Sequence, residues 1–381
     1  MGRSLLMLLA AVHATDAAFA GASTRRICSS ETPICIEGAH VAPSLLIDAE
    51  SVYRALFLAM DLPPPPPDLD GRVTIHVGAK TGAVVAFRDP LTPIDRAIAR
   101  ITIAVPSTNS CDSWLHIAHA LAQASLLGAA PATDATMATA QAEWLARTAV
   151  PCATVDRPVT FAPEAPLAGT GPTPEAPLNT VHFIDFLDRR HARDVATWLI
   201  GAWANTVVRS EPGTELVNEP DFFDVLGASY KTTSRAGWHD VLGAFLNEQT
   251  ARPIAHQWEI PWPKGARRLL STRPVFPTGM SFVRIGAEGA APGHIRLSAE
   301  WEPQTIMRWV AVVIGADGRA LRFLPFTGFD KGGRAERSIE NLSGAHHVEV
   351  IGAAVEDRDF KFDPDIGLGE PHAWMLTVAG E

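Results

Sequence analysis

Two histidines, His116 and His119, have the spacing in this chain that most directly allows chemistry. They lie three positions apart in the run CDSWLHIAHALAQASLLG, which begins at Cys111. Alanine and leucine dominate the run, which predicts a helix with Asp112 as its N-cap and Gly128 at its end. Side chains three apart share a helical face. The two imidazoles could therefore bind one metal ion if a third ligand came from elsewhere in the chain.

A second motif follows the first at a spacing near that used by zinc peptidases. The residues from His119 to Gln123 read HALAQ, and those from Thr139 to Trp144 read TAQAEW. They resemble the HExxH and EAxAxW motifs of secreted bacterial gluzincin-like metallopeptidases, and the segment FIDFLDRRHARDVATWL resembles the helix that follows in that group. The resemblance covers about residues 70–250 and implies a zincin-like α+β scaffold, a small sheet followed by helices.

The same resemblance implies that the catalytic residues have been replaced. His119 stands at the first metal-binding histidine, whereas Ala120 replaces the glutamate that activates water. Gln123 replaces the second histidine, and Thr139 stands where the third zinc ligand is expected. Amide and hydroxyl groups are poor zinc ligands, and loss of a general base alone typically lowers a rate ~10²- to 10⁴-fold. The resemblance therefore implies a scaffold without catalysis or bound zinc.

We therefore expect a secreted pseudo-peptidase-like binding or structural protein that lacks catalytic activity. Its partner would be a peptide, a protein or a cell-surface polymer. Two alternatives stay open: an active zinc metallopeptidase with an unusual ligand set such as His116 and His119, and an envelope-associated adhesive protein. A chance match on an unrelated α/β scaffold would leave His119 as an ordinary core or surface histidine.

A second candidate metal site lies near the C-terminus, in the segment FDPDIGLGEPHAW. Asp363, Asp365 and Glu370 offer carboxylate oxygens within eight residues, and calcium prefers such ligands. The spacing differs from that of an EF-hand loop. The alternative is a turn in which Asp363 and Asp365 cap backbone amides, and this is the interpretation that the spacing favours.

The four cysteines form two local groups, Cys28 with Cys35 and Cys111 with Cys152. An even number in such groups favours disulfides and an oxidising compartment, although sequence alone permits three pairings. Free buried thiols are the alternative, and a zinc site made of these cysteines is disfavoured because no Cys-x-x-Cys pair is present.

Composition excludes several functional classes. The chain has 381 residues, 47% of them hydrophobic, and a net charge of −10 without a basic run, which argues against nucleic-acid binding. The motifs of α/β-hydrolases, P-loop NTPases and dinucleotide-binding enzymes are absent from the sequence.

The first 20 residues are predicted to be a secretion signal. Arg3 precedes a short apolar core, and Ala18-Phe19-Ala20 gives a small-x-small cleavage pattern. The alternative is a short buried helix. The apolar run is too short to span a bilayer and no other segment is apolar enough, so we expect a secreted or periplasmic protein without a membrane span.

Residues 21–255 and 260–381 are predicted to be two domains. In the first, a helix over 41–62 ends at the prolines 63–67, and strands at 72–77, 83–87 and 101–105 precede helices at 112–127 and 134–148. A surface loop over about 156–179 separates these from helices at 181–208, 221–230 and 234–247. In the second, strands at 280–285, 294–301, 307–314, 321–326, 347–355 and 374–378 predict an all-β sandwich.

Overall fold

The computed structural model describes residues 24–39, 41–87, 97–104, 110–130, 133, 135–150, 176–190, 208–210, 216–218, 226, 244–245, 248, 256–327, 333–357 and 369–380. Outside these residues lie the predicted signal, Cys152, Asp363, Asp365 and most of the predicted 156–179 loop. The helices predicted at 221–230 and 234–247 also lie outside them, except for Leu226, Ala244 and Phe245, which are helical. The end of that loop is helical, because a helix begins at Ala176.

The N-terminal part contains a mixed five-stranded sheet, here called sheet I. Its strands are β1 (Arg25–Cys28), β2 (Ile34–Gly38), β3 (Val73–Gly78), β4 (Gly82–Phe87) and β5 (Ala97–Ala104), in the order β1-β2-β3-β5-β4. Strands β2, β3 and β5 are parallel, and β4 runs antiparallel to β5 at one edge of the sheet. Isoleucines at alternate positions of the parallel strands are fully buried, as the period of two requires.

In the described part of the chain, four complete α-helices follow or flank this sheet. They are α1 (Pro43–Tyr53), α2 (Ser110–Ala129), α3 (Ala135–Ala149) and α4 (Ala176–Arg190). Helix α1 starts with Pro43 in its first turn and continues into a π-helical segment, Arg54–Ala59. The proline run 63–67 prevents further helix, as predicted. In the described part of the chain, no helix is both long and apolar enough to cross a membrane.

The C-terminal part is mostly β. It follows a separate pair of short strands, β6 (Val208–Ser210) and β7 (Leu216–Asn218). Its own strands are β8 (Trp258–Ile260), β9 (Ala266–Leu270), β10 (Met280–Ile285), β11 (His294–Trp301), β12 (Thr305–Gly315), β13 (Ala320–Pro325), β14 (Arg334–Glu340), β15 (Ala345–Asp357) and β16 (Trp374–Gly380). Sheet II has the order β13-β12-β15-β10-β8, and sheet III the order β14-β11-β16-β9. The two sheets share one buried apolar core, so they form a sandwich-like unit.

An aromatic cluster fills the middle of that core. The ring of Trp309 lies between those of Trp301, Phe326 and Trp374, at centroid distances of 5.6–6.4 Å. The ring also lies flat against the backbone of Gly352, where an added Cβ would come within 2.6 Å of it. Glycine is therefore required at this position by the packing.

Cys28, Cys35 and Cys111 lie in the described residues, and all three are disulfide-bonded. Cys28 and Cys35 form a disulfide across the β1–β2 hairpin, where they are directly paired, which confirms the predicted local bridge. The fold class is confirmed as mixed α and β with a largely β C-terminal part, and the six strands predicted there all form.

Candidate functional site

The site that the sequence singled out lies on the polar stripe of helix α2. His116, His119 and Gln123 follow one another at helical spacing, whereas the residues between them are buried against the core: Ile117, Ala118, Ala120, Leu121 and Ala122 are 0% exposed. The small alanines let α2 approach α3, whose own alanines are equally buried. The packing therefore leaves one polar stripe on α2, directed at sheet I and α3.

Each end of this stripe is bonded to a strand of sheet I. Nδ1 of His116 lies 2.7 Å from the carbonyl oxygen of Ala104, at the end of β5, and donates to it because a carbonyl only accepts. Oε1 of Gln123 accepts a 2.8 Å hydrogen bond from the backbone N–H of Ala83 in β4. The residue at the expected second-histidine position thus attaches α2 to the edge strand.

His119 faces α3 instead. Its Nδ1 lies 3.2 Å from Oε2 of Glu143, although the ring N–H is too poorly aligned with that oxygen for a hydrogen bond. Nε of Arg147 donates a 2.8 Å bond to the other oxygen of Glu143. The carboxylate of Glu143 therefore lies between an imidazole and a guanidinium.

The surroundings of Glu143 keep it ionised. Burial alone would raise the pKa of this carboxyl, but the interaction with His119 and the charge of Arg147 outweigh burial and lower the pKa to about 2. Glu143 lies one turn beyond Thr139 on α3, so the acid that meets His119 is not at the position the motif predicts. The spacing of Glu143 and Arg147, four residues apart, was the sequence signal for this pair.

The predicted metal ligands do not converge in the described residues. No group of three or more His, Cys, Asp or Glu side chains there is arranged to hold a metal ion. Ala120, at the position of the catalytic glutamate, is fully buried. Glu370 is exposed, and its predicted calcium-binding partners Asp363 and Asp365 lie outside the described residues.

A second polar cluster, which the sequence did not reveal, lies on sheet II. Glu349 of β15 is 3% exposed. One of its oxygens lies 2.8 Å from Nε2 of His256, and the other 2.8 Å from Nε of Arg284 and 3.0 Å from Nε2 of His347. Burial alone would raise the pKa of Glu349, but the hydrogen bonds from the two histidines outweigh burial and, with Arg284, lower the pKa to about 2.

The position of this cluster follows from strand register. Glu349 is paired with Arg284 on β10, which is paired in turn with Glu259 on β8. Glu259 also contacts Nδ1 of His256 at 3.2 Å. One row of side chains across three strands thus brings together two carboxylates and a guanidinium, and the imidazoles of His256 and His347 contact this row from its sides. Pattern analysis of isolated strands could not show this, because the register joins residues far apart in sequence.

Comparison with known proteins finds no matching family model and no matching curated protein. Among solved structures, the chain is similar to the pre-peptidase C-terminal domain of a collagenase from Bacillus anthracis, at 10% identity over 33% of this chain and 99% of that chain, with a TM-score of 0.22. CorA, described as a surface-associated copper-binding protein important in copper acquisition by Methylomicrobium album BG8, gives 8% identity, the same coverages and the same TM-score. TM-scores this low carry no argument about fold or function.

Proposed function

We propose that this chain is a non-catalytic binding protein built on a zincin-like N-terminal scaffold, and that it holds an extended polypeptide at the edge of β4 that faces away from β5. The observation that carries the proposal is the bonding of the α2 stripe. Gln123 is used to attach the edge strand, and His119 is used to pair with Glu143. Groups that would bind and activate a metal in a peptidase are thus engaged in structural contacts.

The edge of β4 has the geometry to accept another strand. Within the described residues β4 pairs only with β5. The N–H of Ala83 points away from β5, towards Gln123, so by the alternation of an antiparallel ladder those of Val85 and Phe87 also point away from β5. An extended polypeptide can bond to such groups, and affinity then comes from its main chain.

Metal content separates this proposal from an active peptidase. The mature protein, purified without chelator, is expected to contain no stoichiometric zinc and to leave a casein substrate uncut. One equivalent of zinc that disappears in His119→Ala, with hydrolysis that disappears in the same variant, would overturn the proposal in favour of a metallopeptidase with an unusual ligand set.

Binding is tested with proline substitutions in the edge strand. Val85→Pro removes an N–H that points away from β5, so it leaves the β4–β5 ladder intact while blocking strand addition. We expect it to weaken binding of fluorescein-labelled casein, an unstructured polypeptide, at least tenfold in fluorescence anisotropy. The control is Ile47→Ala, which changes an exposed residue of α1 and should leave binding unchanged. Equal binding by Val85→Pro and the parent would contradict the proposal.

A further inference from the structure

The start of β15 places two adjacent imidazoles nitrogen to nitrogen. Nδ1 of His346 lies 2.8 Å from Nδ1 of His347, and the two rings are nearly perpendicular, at 77°. His346 is exposed, whereas the side chain of His347 is 13% exposed. The pair is separate from the site on helices α2 and α3 that contains His116, His119 and Glu143, here called the helix-pair site. The function proposed above does not use this pair of histidines.

Glu349 fixes which nitrogen of His347 is available. The carboxylate lies 3.0 Å from Nε2, and because a carboxylate only accepts, Nε2 carries the proton in the neutral ring. Nδ1 of His347 then presents its lone pair towards His346. A carboxylate that holds the distal N–H of an imidazole is the usual outer partner of a metal-binding histidine, since it fixes the ring and raises the basicity of the other nitrogen.

The carboxylate is itself held firmly. It is buried, and His256 and Arg284 bond to it in addition to His347. The orientation of the His347 ring is therefore set by the sandwich and not by solvent. His346, in contrast, lies at the surface.

We propose that Nδ1 of His346 and Nδ1 of His347 are two adjacent ligands of a divalent transition-metal ion with square or tetragonal coordination, Cu(II) or Ni(II), whose remaining positions are filled by water. Binding moves the Nδ1 proton of His346 to its Nε2 or to solvent, and both imidazoles bind as neutral ligands. No redox step is involved.

The separation of the two nitrogens is compatible with adjacent positions on one ion, provided that the His346 ring turns out of the present hydrogen bond so that both lone pairs face the ion. With metal–nitrogen bonds of about 2.0 Å, nitrogens 2.8 Å apart subtend about 90° at the metal. Tetrahedral zinc would need them about 3.3 Å apart. Adjacent positions at about 90° are those of tetragonal Cu(II) and Ni(II), and Cu(II) also stands highest in the general order of affinities.

Copper titration of the full-length protein tests the site. We expect one equivalent of Cu(II) with an electron paramagnetic resonance spectrum that shows two imidazole nitrogens, and at least tenfold weaker binding of Zn(II). His346→Ala changes an exposed side chain and should fold normally, as shown by an unchanged melting temperature. It should lose at least tenfold in copper affinity and one nitrogen from the spectrum, and His347→Ala should do the same.

His76→Ala is the matched control, because it removes a half-exposed histidine from sheet I. It should leave copper binding unchanged. Copper binding that His346→Ala and His347→Ala leave intact, zinc binding as tight as copper binding, or no bound copper at all would each overturn the proposal, and the contact would then be a hydrogen bond between two imidazoles.

Discussion

Replacing Glu349 by glutamine is the sharpest test of how the C-terminal part is stabilised. The substitution keeps the size of the side chain but removes its charge. Two imidazoles and a guanidinium then lose their charged acceptor. Water cannot replace the carboxylate there as a hydrogen-bond acceptor, since residue 349 is only 3% exposed. Breaking a buried ion pair by removing one partner typically costs about 3–5 kcal/mol.

The lowered pKa of Glu349 reflects the same contacts and corresponds to a stabilisation of the same order. The pKa of the carboxyl falls from its ordinary 4.5 to about 2, which corresponds to about 3 kcal/mol. Because the folded-state pKa is lowered, this stabilisation is fully present above pH 4.5 and is lost as the pH falls through about 2. The variant cannot titrate at this position, so it should lack that part of the acid dependence.

Urea unfolding at pH 7, 5, 3 and 2, followed by tryptophan fluorescence, measures the effect. We expect Glu349→Gln to be less stable by about 3 kcal/mol at pH 7 and 5, and the difference to shrink towards zero at pH 2. Glu336→Gln is the control: its pKa is also lowered, by hydrogen bonds from Arg296 and Arg334, but at the surface, where a pair contributes less than about 1 kcal/mol. Parallel stability curves for the parent and Glu349→Gln would refute the reasoning.

Three further changes probe the rest of the fold. Gly352→Ala should cost about 1–3 kcal/mol in urea unfolding, because the added methyl would meet the Trp309 ring at 2.6 Å. Glu143→Gln should reduce stability at pH 7 by about 1–3 kcal/mol. The loss should be smaller at pH 2, because the lowered pKa means that the ionised carboxylate stabilises the fold at higher pH and is progressively protonated as the pH falls to about 2. Gln123→Ala removes the acceptor of the Ala83 amide, and hydrogen exchange at that amide should become several-fold faster while the amides of α2 keep their protection.

Periodicity was sufficient for the elements whose pattern is strong. Helices α2 and α3 form from the alanine-rich runs, and the alternating strands of the C-terminal part form close to their predicted bounds. The helical segment after α1 ends before the prolines, as predicted. The hairpin β1–β2 was missed, because it has only four and five residues and its signal is the pair of cysteines that it brings together. Strands β8, β9 and β14 were missed because charged residues at exposed edge positions hide the period of two.

The helix-pair site was predictable in its location and not in its contacts. Motif spacing identified His119 and Gln123 as facing one region, and the structure places both on the same stripe of α2. Their partners, Glu143 and the backbone of Ala83, depend on the rotation of α3 and on which strand forms the edge of sheet I. Neither can be derived from the spacing of residues within a single helix.

Sheet II shows why the two parts of the chain are not independent units. Along β15 the residues Val348, Val350 and Ala354 belong to the sandwich core, whereas Ile351, Ala353 and Val355 belong to the same buried cluster as the N-terminal helices and sheet I. A strand that is apolar on both faces is one that is covered on both faces, and the run VEVIGAAV carries that signal. Glu349 is the charged exception in this run, and it is tolerated only because every donor around it comes from the sheet itself and its flanks. Its bonds to β10 and to the residues before β8 therefore hold together the face of sheet II that the N-terminal part covers.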